Sequence, residues 1–193
     1  HQAPEGLPLV GHPYGGALAL HLALRHPRRV RSLTLYEPVA FSLLRGDAAM
    51  EEVLEIAEAV RALVRAARFE GAAHTFVDYW SGDGAWLAMS EEQRRAIAER
   101  IAVVPGHFHG TLLAPWHRPA GRELSMPVLL MRGVRSPHPT QRCIEILRES
   151  LPHATCRVLK GGGHMGPLTH AEAVAHWIIE QLRGAGSIAI EER

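Results

Sequence analysis

Cysteine is scarce in this 193-residue chain, with Cys143 and Cys156 its two. One falls on a predicted helix and the other on a predicted strand, so they make no disulfide framework. They read as buried, reduced thiols of a cytoplasmic protein. Long apolar runs are missing as well. The longest fall far short of the ~20 residues that a membrane-spanning helix needs. The N-terminus has no basic stretch followed by an apolar one, so no secretory signal is read. Basic clusters are also lacking. With a formal net charge of +1 and no Lys/Arg-rich block, neither nucleic acid nor a membrane surface is expected as a partner. Lysine occurs once, at Lys160, and arginine carries nearly all the positive charge. That usage reflects base composition rather than mechanism. No internal repeat and no low-complexity segment is found.

What is present is ordinary globular material. Apolar residues make up 47% of the chain and charged ones 21%, enough for one domain with a core and a small insert. The chain is organised around Leu7 to Pro27. An apolar run suited to a strand buried on both faces leads into a Gly-rich turn, Gly11-His12-Pro13-Tyr14-Gly15-Gly16. A helical pattern follows and stops at Pro27. Val30 to Tyr36 reads as the next strand, ended by Glu37-Pro38. Strand, helix and strand within about thirty residues make a βαβ unit with parallel, adjacent strands.

The pattern then becomes purely helical. Val53, Ile56, Val60, Leu63, Val64 and Ala67 recur at three- and four-residue steps over 50–69. A second helix is predicted over 71–80, and a third from Ser90, with Gln93 completing a capping box, to about Val103. Pro105-Gly106 is read as its stop, and a short helix over 106–113 follows. The segment 115–126 is read as a return linker. Pro127–Gly133 and Thr155–Leu159 are strands and 140–150 is a helix. A last helix over 170–183 is expected to be capped by Thr169, with a loose tail from Gly184. The fold class is therefore α/β, with a core over 1–45 and 122–193 and a helical cap with its linker over 46–121.

The turn at 11–15 has the spacing of a nucleophile elbow, G-x-S-x-G, with proline in place of serine. With its strand, its helix and the late Gly161-Gly162-Gly163-His164, the chain resembles the C-terminal half of an α/β-hydrolase parallel sheet carrying a helical cap. The resemblance covers Leu7 to Leu182. It implies a serine hydrolase of small esters, lactones or other acyl compounds, without a cofactor. In that mechanism a serine attacks the acyl carbon, a histidine takes its proton, a carboxylate orients the histidine, and backbone N–H groups stabilise the oxyanion. His164 matches the histidine. The acid most often follows the strand corresponding to 127–133, but Val134-Arg135-Ser136-Pro137-His138 contains no carboxylate. Glu37, after the preceding strand, is the preferred acid, the alternative being a solvated or capping role. Tyr14 is the position whose N–H would serve the oxyanion. Pro13 stands at the nucleophile position. It has no nucleophilic atom, and its ring excludes the positive φ of the family's elbow residue. His12 matches the variable residue before the nucleophile.

His107 and His109 could share one side of an extended segment and suggest a metal, but no Cys or carboxylate cluster accompanies them, so none is expected. Phe76, Tyr79, Trp80, Trp86, Phe108 and Trp116 would either roof an apolar pocket or pack the cap on the core. The chain begins at His1, without methionine and just before its first strand, which leads to the expectation of a preceding segment. In its absence the strand at 7–11 has an unpaired edge, open to a homodimer or a complementing segment. Three functional readings follow: a hydrolase relative inactivated at Pro13, a module that binds a small apolar ligand without chemistry, or a vestigial fragment.

Overall fold

The structure, a computed structural model, describes residues 6–119 and 123–185. In chain order the elements are β1 (Leu7–Gly11), α1 (Tyr14–Arg25), β2 (Val30–Tyr36), α2 (Ala49–Arg65), α3 (Phe69–Ser81), α4 (Ala85–Ala88), α5 (Glu91–Ala98) and α6 (Val104–Leu113). Then come β3 (Val128–Gly133), α7 (His138–Ser150), β4 (Thr155–Leu159), α8 (Gly166–Thr169) and α9 (Ala171–Gly184). Residues 120–122 of the predicted linker and 186–193 of the predicted tail lie outside the described residues.

The strands form one parallel sheet in the order β1-β2-β3-β4. Alternation along β2 and β3 decides which side chain enters which layer. Leu33, Leu35, Val128 and Leu130 point into the larger core, which includes Leu20 of α1 and Ile146 and Leu147 of α7. Tyr36, Leu129 and Met131 point the other way and meet Leu159 and Val174 of α9. Both faces of these two strands are covered, which explains their nearly unbroken apolar sequences.

β1 departs from the expectation of a strand buried on both faces. It lies at the sheet edge, with Leu7 60% and Val10 49% exposed. Further corrections concern helix ends. Pro105 does not stop a helix. It sits in the first turn of α6, where the N–H it lacks would have no helical partner, and the third helix ends earlier, at Ala98. Thr169 does not cap the last helix. Its hydroxyl turns back to the Met165 carbonyl at 3.3 Å, and His170 stands at the cap position. The capping box at Ser90 is present, with Gln93 N donating to Ser90 Oγ at 3.2 Å and Ser90 N to Gln93 Oε1 at 2.9 Å.

The helices α2 to α6 leave the sheet after β2 and return to it before β3. Arg45 donates to the carbonyls of Leu112 and Ala114, at 3.3 and 3.1 Å, joining the start of this helical segment to its end. Asp47 accepts from Ala49 N at 3.1 Å at the head of α2 and from Arg142 of α7 at 2.8 Å. Arg142 also reaches Glu145 and Glu149. These bonds hold the Asp47 carboxyl below the usual carboxylate range, the one from Arg142 contributing most. Among the described residues no helix is long and apolar enough to cross a membrane.

Candidate active site

The turn between β1 and α1 is tight because Gly11 lets the helix close on the strand. A Cβ at Gly11 would lie 2.5 Å from the Gly15 carbonyl oxygen and 2.6 Å from Gly16 Cα. Pro13 follows in an ordinary right-handed conformation, φ −76° and ψ −44°. Its carbonyl accepts from Ala17 N at 3.2 Å and from Val39 N at 3.1 Å. Tyr14 opens α1, so its N–H belongs to the first turn, which has no intrahelical acceptor. Its ring lies against His107, centroids 4.8 Å apart.

Glu37 leaves the C-terminal end of β2, next to the elbow strand, and is fully buried. Its backbone holds φ +42°, a left-handed conformation that side chains other than glycine adopt at a cost. The carboxylate makes that conformation worthwhile. Oε1 accepts from Gly133 N at 2.6 Å and from Ser136 Oγ. Oε2 accepts from Thr140 Oγ1 at 3.2 Å and stands 2.7 Å from His164 Nδ1. The end of β3, the loop after it and the first turn of α7, a stretch with no carboxylate of its own, thus supply donors to one that arrives from β2.

His164 is held by the turn after β4. Gly161 takes φ +74°, and Arg135 N donates to the Gly162 carbonyl at 2.9 Å. The imidazole is 3% exposed and packs on Trp80, ring centroids 4.3 Å apart. With Nδ1 donating to the Glu37 carboxylate, Nε2 is the nitrogen that carries the lone pair. His12 lies beside it, centroids 4.8 Å apart. A carbonyl only accepts, so His12 Nδ1, 3.0 Å from the Tyr36 oxygen, carries a proton. Burial, and secondly the charge of His164, lower the His12 pKa from 6.5 to about 4.

These groups face a cavity of about 360 Å³. Its walls include His12, Pro13, Tyr14 and His164 from the sheet side, and Phe76, Trp80, Met89 and Phe108 from the helical segment. His107 also lines it, whereas His109 is two residues further along the same helix, roughly 200° around its axis. The extended segment expected for this pair is therefore a helix, and the two rings do not share a side. Among the described residues no group of three or more His, Cys, Asp or Glu is placed to hold a metal ion.

The structure therefore brings Pro13, Tyr14, Glu37 and His164 to one cavity mouth or directly behind it. Sequence reasoning missed Ser136 and Thr140 as donors to Glu37; of the aromatics it offered as a pocket roof, Phe76, Trp80 and Phe108 line the cavity, and Trp80 lies against His164. Hydroxyls in a loop or the first turn of a helix carry no local signal of what they bond to. The presence of hydroxyls where a carboxylate was missing is the one hint that could have been used.

With this geometry in hand, comparison with known proteins places the chain. A sequence model described as alpha/beta hydrolase fold matches residues 4–171, and the chain belongs to that family. No curated protein sequence matches significantly. Among solved structures it is similar to a hydrolase from Pseudomonas aeruginosa PA01, with a TM-score of 0.72 and 18% identity over 92% of this chain and 65% of that one. It is also similar to the carboxylesterase CesB (YbfK) from Bacillus subtilis, with a TM-score of 0.65 and 22% identity over 93% and 61%. A third is MenH from S. aureus, with a TM-score of 0.66 and 14% identity over 94% and 69%. At these identities the likeness is one of fold. The chain spans 61–69% of the lengths of these proteins.

Proposed function

We propose that this chain is a relative of serine hydrolases of small ester and acyl compounds that binds such a compound but forms no acyl-enzyme. The observation that carries this reading is Pro13. It lines the cavity with a carbon side chain, in a relaxed conformation, where the resemblance calls for an attacking oxygen. The Glu37–His164 pair supports the relation to hydrolases, and the Tyr14 N–H takes the oxyanion position. Segment 46–121 acts as the cap over a core made by 1–45 and 122–193, in a cytoplasmic protein without a cofactor. The apolar cavity favours retained binding over a vestigial role. The open edge of β1 pairs with a second copy, which sedimentation at increasing concentration would reveal.

The test is Pro13→Ser. A fluorophosphonate probe labels the serine variant covalently at residue 13 and leaves the parent unlabelled. Adding His164→Ala to the serine variant abolishes labelling. A parent that gives a burst of p-nitrophenol from a p-nitrophenyl ester overturns the reading.

A further inference from the structure

Phe41, Phe76, Trp80 and Phe108 all line the cavity, and their rings take two orientations. Phe41 comes from the turn Phe41–Leu44, Phe76 and Trp80 from α3, and Phe108 from α6. Phe41 lies nearly parallel to Trp80 and to Phe108, at 16° and 12°, with centroids 6.5 and 6.2 Å apart. Phe76 stands across both, at 64° to Trp80 and 84° to Phe108. Phe41, Trp80 and Phe108 are buried. This aromatic corner is thus part of the packing and exists before any ligand arrives.

The same wall holds no fixed charge. None of the described residues that line the cavity is Asp, Glu, Lys or Arg. Its titratable side chains are His12, Tyr14, His107 and His164, and burial keeps His12 neutral. Behind His164 stands the Glu37 carboxylate, 2.7 Å from Nδ1. Its other donors are the neutral Gly133 N, Ser136 Oγ and Thr140 Oγ1. A negative group entering the cavity would lose its hydration, meet no Lys or Arg, and approach a like charge through a medium of low dielectric.

We propose, resting on the ligand-binding reading above, that the cavity selects an uncharged aryl ester and rejects acyl compounds that carry a carboxylate. The aryl ring packs in the corner, offset on the parallel rings and edge-on to the one across them. Both arrangements gain more than buried area alone. A saturated ring of equal bulk gains the area only. The four rings set the aryl preference, and the lack of a cation on the wall sets the charge preference.

The experiment is calorimetric titration of the unmodified protein with four esters at about pH 8, above the ordinary histidine range. Methyl benzoate and methyl cyclohexanecarboxylate match in bulk and differ in the π-system. Dimethyl and monomethyl terephthalate differ by one methyl group and one negative charge. Methyl benzoate is expected to bind about threefold or more tighter than its saturated analogue. Monomethyl terephthalate is expected to bind about thirtyfold or more weakly than the diester, well beyond the about fourfold that one methyl group accounts for. Met89→Lys adds a cation to the wall and is expected to tighten monomethyl terephthalate about tenfold or more. Its binding of the diester reports that the variant is folded, and the parent measurements decide the proposal without it. Equal affinity for the first pair, or a terephthalate gap no larger than the methyl group explains, overturns the proposal. So does a Met89→Lys protein that binds the diester but gains nothing for the monoester. If the neutral esters bind without these preferences, the ligand-binding reading stands and this proposal falls. If none of the four binds, both fall.

Discussion

Glu37 and His164, 127 positions apart in sequence, meet at 2.7 Å with their side chains 0% and 3% exposed. The contact is structural as well as chemical, since the carboxylate also collects Gly133 N, Ser136 Oγ and Thr140 Oγ1. Glu37→Gln keeps the size but replaces one acceptor oxygen with an NH2 facing donors. It is expected to cost about 3 kcal/mol, since bonds to a charged group are lost and buried donors are left unmet. Urea denaturation at neutral pH measures this. A loss below about 1 kcal/mol would show that the network is not holding the fold.

His12 makes stability depend on pH. Its folded pKa of about 4 lies below the unfolded value of 6.5, so the unfolded chain binds the proton more readily. Stability is full above pH 6.5 and falls as pH drops towards 4, then levels. Between pH 7 and pH 5 the loss from this group is about 2 kcal/mol. His12→Asn, which keeps a donor for the Tyr36 carbonyl, is expected to flatten that part of the curve. Matched denaturation curves at the two pH values check the difference.

Two neighbouring glycines are expected to behave oppositely. Gly11→Ala drives a methyl to within 2.5 Å of the Gly15 oxygen. Displacing α1 from β1 costs about 2 kcal/mol or more. Gly15→Ala meets nothing within 4 Å, lies in α1, and gains about 0.5 kcal/mol through the unfolded chain. Thermal melts of the two variants against the parent settle the sign of each.

A small apolar ester that occupies the cavity stabilises the chain by mass action. At one hundred times its dissociation constant the gain is about 2.7 kcal/mol, or about 5–10 °C in melting temperature for a chain of this size. Val77→Phe intrudes on that cavity from α3 and is expected to remove the shift. An equal shift in the variant would place the ligand elsewhere.

The elbow, the strands and the turns that carry Glu37 and His164 were legible because each belongs to a local pattern, a run of apolar residues ended by a chain-breaking turn, whereas the pairing of those two residues was implied only by the family resemblance. The donors to Glu37 were not legible. Ser136 and Thr140 are 99 and 103 residues away in sequence, and a hydroxyl looks the same whether it faces solvent or a buried carboxylate. The exposure of β1 was illegible for another reason. An apolar run does not say how many neighbours its strand has, and Leu7 and Val10 read like the buried residues of β2. Pro105 was ambiguous in kind, since proline both ends helices and begins them. Its role in α6 depended on the 3-10 turn Ile101–Val103 that precedes it.

Arg45 ties the two ends of the helical segment to each other, and Arg142 anchors its entrance through Asp47. A roof fastened in this way cannot swing aside like a door without breaking those bonds. Entry to the chamber then depends on rotamer motion of lining side chains such as Phe76 and Met89, on the nanosecond scale rather than that of domain movement. Ligand exchange should accordingly be fast, and insensitive to the solvent viscosity that slows large swinging motions.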